Sequence, residues 1–116
     1  MVIAVLEMML PRGNEAVTIG ALRTFWDATC ARPGCVGGGV FQEVGRPETA
    51  LYIEMWQEAA QLEVHIRSPR YQQLLALMDT AAVCPTLRFN FVAETRGLPW
   101  VEKLRLGTTG AGGDGG

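Results

Sequence analysis

Residues 2–10 are apolar apart from Glu7, and Pro11, Arg12 and Gly13 end the run. A strand with one wet face alternates, so apolar residues on both parities predict a strand covered on both sides. Asn14 is placed to cap a helix, with Glu15 favourable in its first turn. Val17, Ala21, Leu22, Phe25, Trp26 and Thr29 then recur at helical spacing until Pro33 and Gly34 stop the helix. Gly20 inside it costs about 1 kcal/mol relative to Ala and suggests close packing on a sheet. Residues 35–44 read as a second strand loosened by Gly37, Gly38 and Gly39. A turn at 45–48 leads to a third strand at 50–56, so these two form a hairpin. Residues 58–67 form a second helix, which Ser68 and Pro69 restart with a bend and which runs to about residue 82. Its expected core stripe is Leu62, Ile66, Tyr71, Leu74, Leu75 and Met78. Residues 86–94 are the fourth strand, with Leu87, Phe89 and Phe91 alternating against Arg88 and Asn90.

The order is β-α-β-β-α-β, an α+β ferredoxin-like arrangement with a four-stranded antiparallel sheet and two helices on one face. The domain is expected over residues 1–97. Residues 98–106 are an apolar and charged extension, and the Gly-rich tail at 107–116 has too little to bury and is expected to be disordered. The second sheet face is apolar too, and such a face is rarely left in water. A two-fold homodimer packing sheet on sheet, a dimeric α+β barrel, is the economical solution, with residues 98–106 placed to grip the partner.

Composition narrows the function classes. At 116 residues with 48% hydrophobic content the chain can build one core, and a net charge of −2 offers no footprint for nucleic acid. No segment reaches the ~20 apolar residues of a membrane span. The apolar start lacks a basic leader and a cleavage site, so it reads as a strand rather than a signal peptide. Cys30, Cys35 and Cys84 form an odd set without metal-ligand spacing, which fits buried or half-buried thiols in a reducing compartment and a cytoplasmic location. The three consecutive glycines lack the Lys-Ser/Thr of a phosphate loop, and neither GxGxxG nor GxSxG occurs.

The candidate chemistry gathers after the hairpin. His65 is the only histidine, the one side chain that titrates near neutrality unperturbed. It reads either as a hydrogen-bonding residue at the edge of the apolar stripe or as a proton acceptor facing a cavity. Tyr52, Glu54 and Trp56 alternate onto one strand face, where Arg88 or Asn90 could join them. Trp56 is either core or the floor of a flat pocket. Glu54 among hydrophobes needs a partner, and Arg88 or Arg67 is the structural candidate.

The segment Ile53-Glu54-Met55-Trp56, followed by Leu62-Glu63-Val64-His65 and Ser68-Pro69, resembles the antibiotic biosynthesis monooxygenase (ABM) domain family over residues 2–94, and within it the small quinol-oxidising members. The resemblance implies a dimeric α+β barrel and oxygenation of a hydroquinone or related phenol by O2, with no flavin, haem or metal. By that resemblance Trp56 positions the ring and His65 takes or relays the proton, while Tyr52 completes the platform and Glu54 or Arg88 supplies a polar anchor. Tyr52 stands where relatives acting on tricyclic precursors have asparagine. Leu75 stands near where haem-degrading relatives have their ligand histidine, so haem is not expected. The competing expectation is a non-oxygenase barrel, of binding or isomerase type. A cleft of at least ~300 Å³ at the Tyr52-Glu54-Trp56 face separates the two, because an aromatic substrate needs that room.

Overall fold

The computed structural model describes residues 1–107. The expected tail falls almost wholly outside the described residues. The chain runs β1 (Val2–Met9), α1 (Glu15–Thr29), β2 (Cys35–Glu43), β3 (Arg46–Trp56), α2 (Ala59–Arg67), α3 (Tyr71–Met78), β4 (Thr86–Phe91) and α4 (Leu98–Glu102), then a π-helical turn at Lys103–Gly107. The four strands pair antiparallel in the order β2-β3-β1-β4, the ferredoxin-like topology.

Register fixes which side chains share a face. Val2, Ala4, Leu6 and Met8 of β1 lie opposite Trp56, Glu54, Tyr52 and Ala50 of β3, and all eight are buried beneath the helices. Leu22 and Phe25 of α1, with Tyr71 and Leu74 of α3, close the main core over them. A smaller cluster of Val2, Trp56 and Leu62 fills the end under α2. The opposite parity, Ile3, Val5, Leu51, Ile53 and Met55, is only half-buried, and Phe41 is exposed beside it. The reading that β1 is covered on both sides therefore fails within a single chain: its second face is apolar but open.

Four local expectations change. Asn14 precedes α1 but its side chain makes no capping hydrogen bond. Gly20 is exposed, and a β-carbon there would meet nothing within 4 Å, so close packing is not its reason. The hairpin turns at Val44 and Gly45, whose φ is +86°, and β3 begins at Arg46 rather than Ala50. The chain also breaks fully between Arg67 and Tyr71, giving two short helices. That break resets the phase: Leu62, His65, Tyr71 and Leu74 face inward, while Ile66 and Leu75 are exposed.

Cys30 and Cys84 are exposed and Cys35 is half-buried, all three as free thiols, so the expectation of buried or half-buried thiols holds for Cys35 alone. No described helix is long and apolar enough to cross a membrane.

Candidate active site: a buried glutamate with three partners

Glu54 is 1% exposed at the centre of the sheet, yet it lacks no partner. The Tyr52 hydroxyl donates to its Oε2 over 2.7 Å, and the Trp56 indole N–H donates to Oε1 over 2.9 Å. Those two bonds come from the strand itself, since residues two apart share a face. The third comes from α2: His65 Nε2 lies 3.1 Å from Oε2. Two sheet positions and one helix position thus converge on one carboxylate.

His65 reaches this place because α2 starts immediately after β3. Gln61 Oε1 accepts the backbone N–H of Glu58 over 3.1 Å, fixing the first turn. Leu62 and His65, three residues apart, then share the inward face. The Ser68 hydroxyl donates to the His65 carbonyl over 2.7 Å and ends the helix. The imidazole is wholly buried within a ring of aromatic neighbours, with Trp56 at 5.0 Å, Tyr71 at 5.2 Å and Phe25 at 5.7 Å between centroids. Its Nδ1 is buried without a hydrogen-bond partner among the described residues.

Burial, and then the charge of Glu54, push the Tyr71 phenol up to about 12. The same two causes raise Tyr52 further. Both phenols therefore stay protonated through the neutral range. Tyr52 can act as a hydrogen-bond donor there but not as a base.

The site residues expected from the sequence divide cleanly. Tyr52, Glu54, Trp56 and His65 are brought together. Arg88 and Asn90 are not: they lie opposite Val5 and Ile3 and share the open face, on the far side of the sheet from Glu54. The Asn90 amide donates instead to the Ile3 carbonyl over 3.3 Å. Their strand alternates as expected, but it turns Leu87 inward opposite Leu6 and so sends the polar set outward. Neither expected Glu54 partner is realised, since Arg67 faces Glu63 at 3.5 Å and His65 takes the place.

The space over this cluster is narrow. A hollow lined by Ala4, Leu6, Tyr52, Glu54, Tyr71 and Leu74 has ≈ 0 Å³ of room for water, well short of an aromatic ring. A roomier groove of ≈ 610 Å³ lies between α1 and α3, with Phe25 among its lining residues. Sequence reasoning missed Phe25 as a site neighbour, although its helical spacing marked it as core. It also missed Arg70, whose guanidinium lies 5.4 Å over the Phe25 ring.

Comparison with known proteins agrees with this architecture. The curated protein sll1783 of Synechocystis sp., uncharacterised, is 24% identical over 81 residues, 69% of this chain. The chain spans about half the length of that relative, 55%. A crystal structure from Deinococcus radiodurans, named as a candidate antibiotic biosynthesis monooxygenase, superposes with a TM-score of 0.75 at 20% identity, covering 84% of this chain and 98% of that one. A conserved protein from Methanosarcina mazei Go1 superposes with a TM-score of 0.70 at 20% identity, covering 77% of this chain and 89% of its own. Identities this low establish the shared fold. The sequence profile described as antibiotic biosynthesis monooxygenase matches residues 1–77, which takes in β1 through most of α3 and every residue of the Glu54 cluster, and the chain belongs to that family.

Proposed function

We propose that this chain is a cofactor-independent monooxygenase that oxidises a hydroquinone or related phenol with O2 as co-substrate, and that it works as a homodimer. The observation that carries the reading is the pairing of His65 Nε2 with Glu54 while Nδ1 stays buried and unpartnered. In the state this reading uses, the Glu54 carboxylate accepts from Nε2–H, and Nδ1 of the neutral ring carries a free lone pair. That atom is the base for a phenol proton, and Glu54 stabilises the imidazolium that results.

The chemistry then balances without a bound redox group. The phenolate gives one electron to O2, and the semiquinone and superoxide combine to form a carbon–oxygen bond. The hydroperoxide recovers the proton from His65 and loses water. One oxygen atom stays on the ring, the other leaves in water, and the ring gives up two hydrogens. Phe25, Trp56 and Tyr71 supply the dry aromatic walls that such an anion needs. Substrate access requires α3 to move, because Tyr71 and Leu74 close the hollow.

That closure favours a second reading, a dimeric barrel without oxygen chemistry, in which the Glu54 cluster is a polar core. Oxygen uptake separates the two. Reduced quinones incubated under air with wild-type protein are expected to consume O2, and His65→Ala and His65→Gln to lose that activity. Equal rates in wild type and both variants remove His65 from the reaction; no uptake by wild type across a quinol panel leaves the second reading.

The open face supports the homodimer. Ile3, Val5, Leu51, Ile53 and Met55 form one apolar surface, and a second copy covers it with the same residues. The extension with exposed Leu98, Trp100 and Val101 is placed as a second contact. The proposed location is cytoplasmic.

A further inference from the structure

We propose that the groove between α1 and α3 binds a flat aromatic carrying an anionic oxygen, a carboxylate or phenolate, and that Arg70 is its anchor. The inference rests on the oxygenase reading for the fate of this ligand, not for its binding.

Three observations meet here. The groove has ≈ 610 Å³, within the usual range for a small-molecule site, whereas the hollow over Glu54 has essentially none. Its walls are mostly apolar, with Ala21, Phe25, Ala76 and Leu77, and with Thr24, Gln73 and Thr80 as the polar edges. Such walls suit a ring and exclude a sugar or a multiply charged metabolite.

Arg70 supplies the second observation. Its guanidinium stands over Phe25, a wall of the groove, and it makes no ion pair among the described residues. Its Nε is buried without a hydrogen-bond partner. Neighbouring arginines behave differently: Arg67 faces Glu63 and Arg23 faces Asp27. Helix stability does not account for Arg70 either. It directly precedes α3, the end where the helix dipole disfavours a cation. A guanidinium left unpaired beside an apolar groove is complementary to an oxyanion on an aromatic ring, which it binds through charge-assisted hydrogen bonds.

The third observation joins groove to dyad. Phe25 forms the groove wall and is also 5.7 Å from His65. The same ring thus borders both the groove and the imidazole, and the movement of α3 that opens the hollow brings a ligand in the groove toward Nδ1. Among phenols, those with an acidic substituent are therefore the preferred class.

The test compares 2-naphthoate with its neutral counterpart 2-naphthamide by isothermal titration. Wild type is expected to bind 2-naphthoate, and Arg70→Met to weaken it by about tenfold or more while leaving 2-naphthamide unchanged. Arg70→Lys restores part of the loss, and Ala76→Trp, which fills the groove from an exposed position, abolishes binding of both. Equal effects of Arg70→Met on both ligands, binding that survives Ala76→Trp, or no binding of 2-naphthoate to wild type overturns the proposal. The two readings fail separately. Arg70-dependent binding without O2 uptake on any quinol leaves this site and removes the oxygenase; quinol oxidation unaffected by Arg70→Met and Ala76→Trp does the reverse.

Discussion

His65 Nε2 lies 3.1 Å from Glu54 Oε2, with both side chains buried. Removing either partner strands the other in a medium that solvates it poorly, whereas replacing both with apolar groups removes the problem. Glu54→Leu alone is expected to destabilise by roughly 3–5 kcal/mol, because His65, Tyr52 and Trp56 all lose their hydrogen-bond partner. His65→Phe alone should cost less, since Glu54 keeps two donors. The double variant should be more stable than the sum of the two losses by at least about 1 kcal/mol. Urea unfolding of the four proteins measures this, and strict additivity would contradict the geometry.

The two phenols near Glu54 give the chain an alkaline limit. An unfolded tyrosine loses its proton near pH 10, while Tyr71 holds its own until about 12 and Tyr52 beyond that. The native state thus keeps protons that the unfolded state has lost, and stability falls as pH rises above 10. The slope is about 1.4 kcal/mol per pH unit for each tyrosine. Cys35, raised chiefly by burial, adds the same sign above its ordinary value of 9.0. Denaturation midpoints from pH 9 to 11.5 should decline steadily, and Tyr71→Phe should flatten the decline.

Three glycines separate backbone strain from crowding. Gly20 is helical, exposed and unobstructed, so Gly20→Ala should stabilise by about 0.5–1 kcal/mol. Gly45 has φ of +86° with open space around it, so an alanine there meets only the backbone penalty, about 1 kcal/mol. At Gly38, with φ of +131°, an added β-carbon would also run into the Ile53 carbonyl and the Trp26 ring. Gly38→Ala should be the most damaging of the three. Thermal melts rank them, and any other order would show that the β2 backbone yields.

The open sheet face predicts a concentration-dependent assembly. Sedimentation of wild type should give a dimer, and Ile53→Lys, on the open parity, should give a folded monomer. A wild-type monomer at high concentration would refute the barrel.

Alternation and helical spacing made the topology legible, and the two-residue period alone placed Tyr52, Glu54 and Trp56 together. The faces of different strands relative to one another were harder to read. Alternation within a strand does not say which parity its neighbour turns inward, so the sequence alone leaves Arg88 and Asn90 as companions of Glu54; the register Val5 to Arg88 puts them on the other face. His65 is legible as a residue at the edge of the apolar stripe, able to face a cavity, but not as a fully buried one, because a stripe continued straight through the break after Arg67 favours Ile66. Arg70 left one overlooked sign, a cation just before a helix start with no acid nearby in sequence.

The chain break between α2 and α3 has a consequence for motion. An eight-residue helix anchored inward by Tyr71 and Leu74 can lift as a panel without unwinding the helix that carries His65. Breathing of that panel carries Tyr71 away from the imidazole while the β1–β3 ladder stays paired. In hydrogen exchange, α3 amides should lose protection well before those of β1 and β3, at a rate that sets how often the buried imidazole meets the outside.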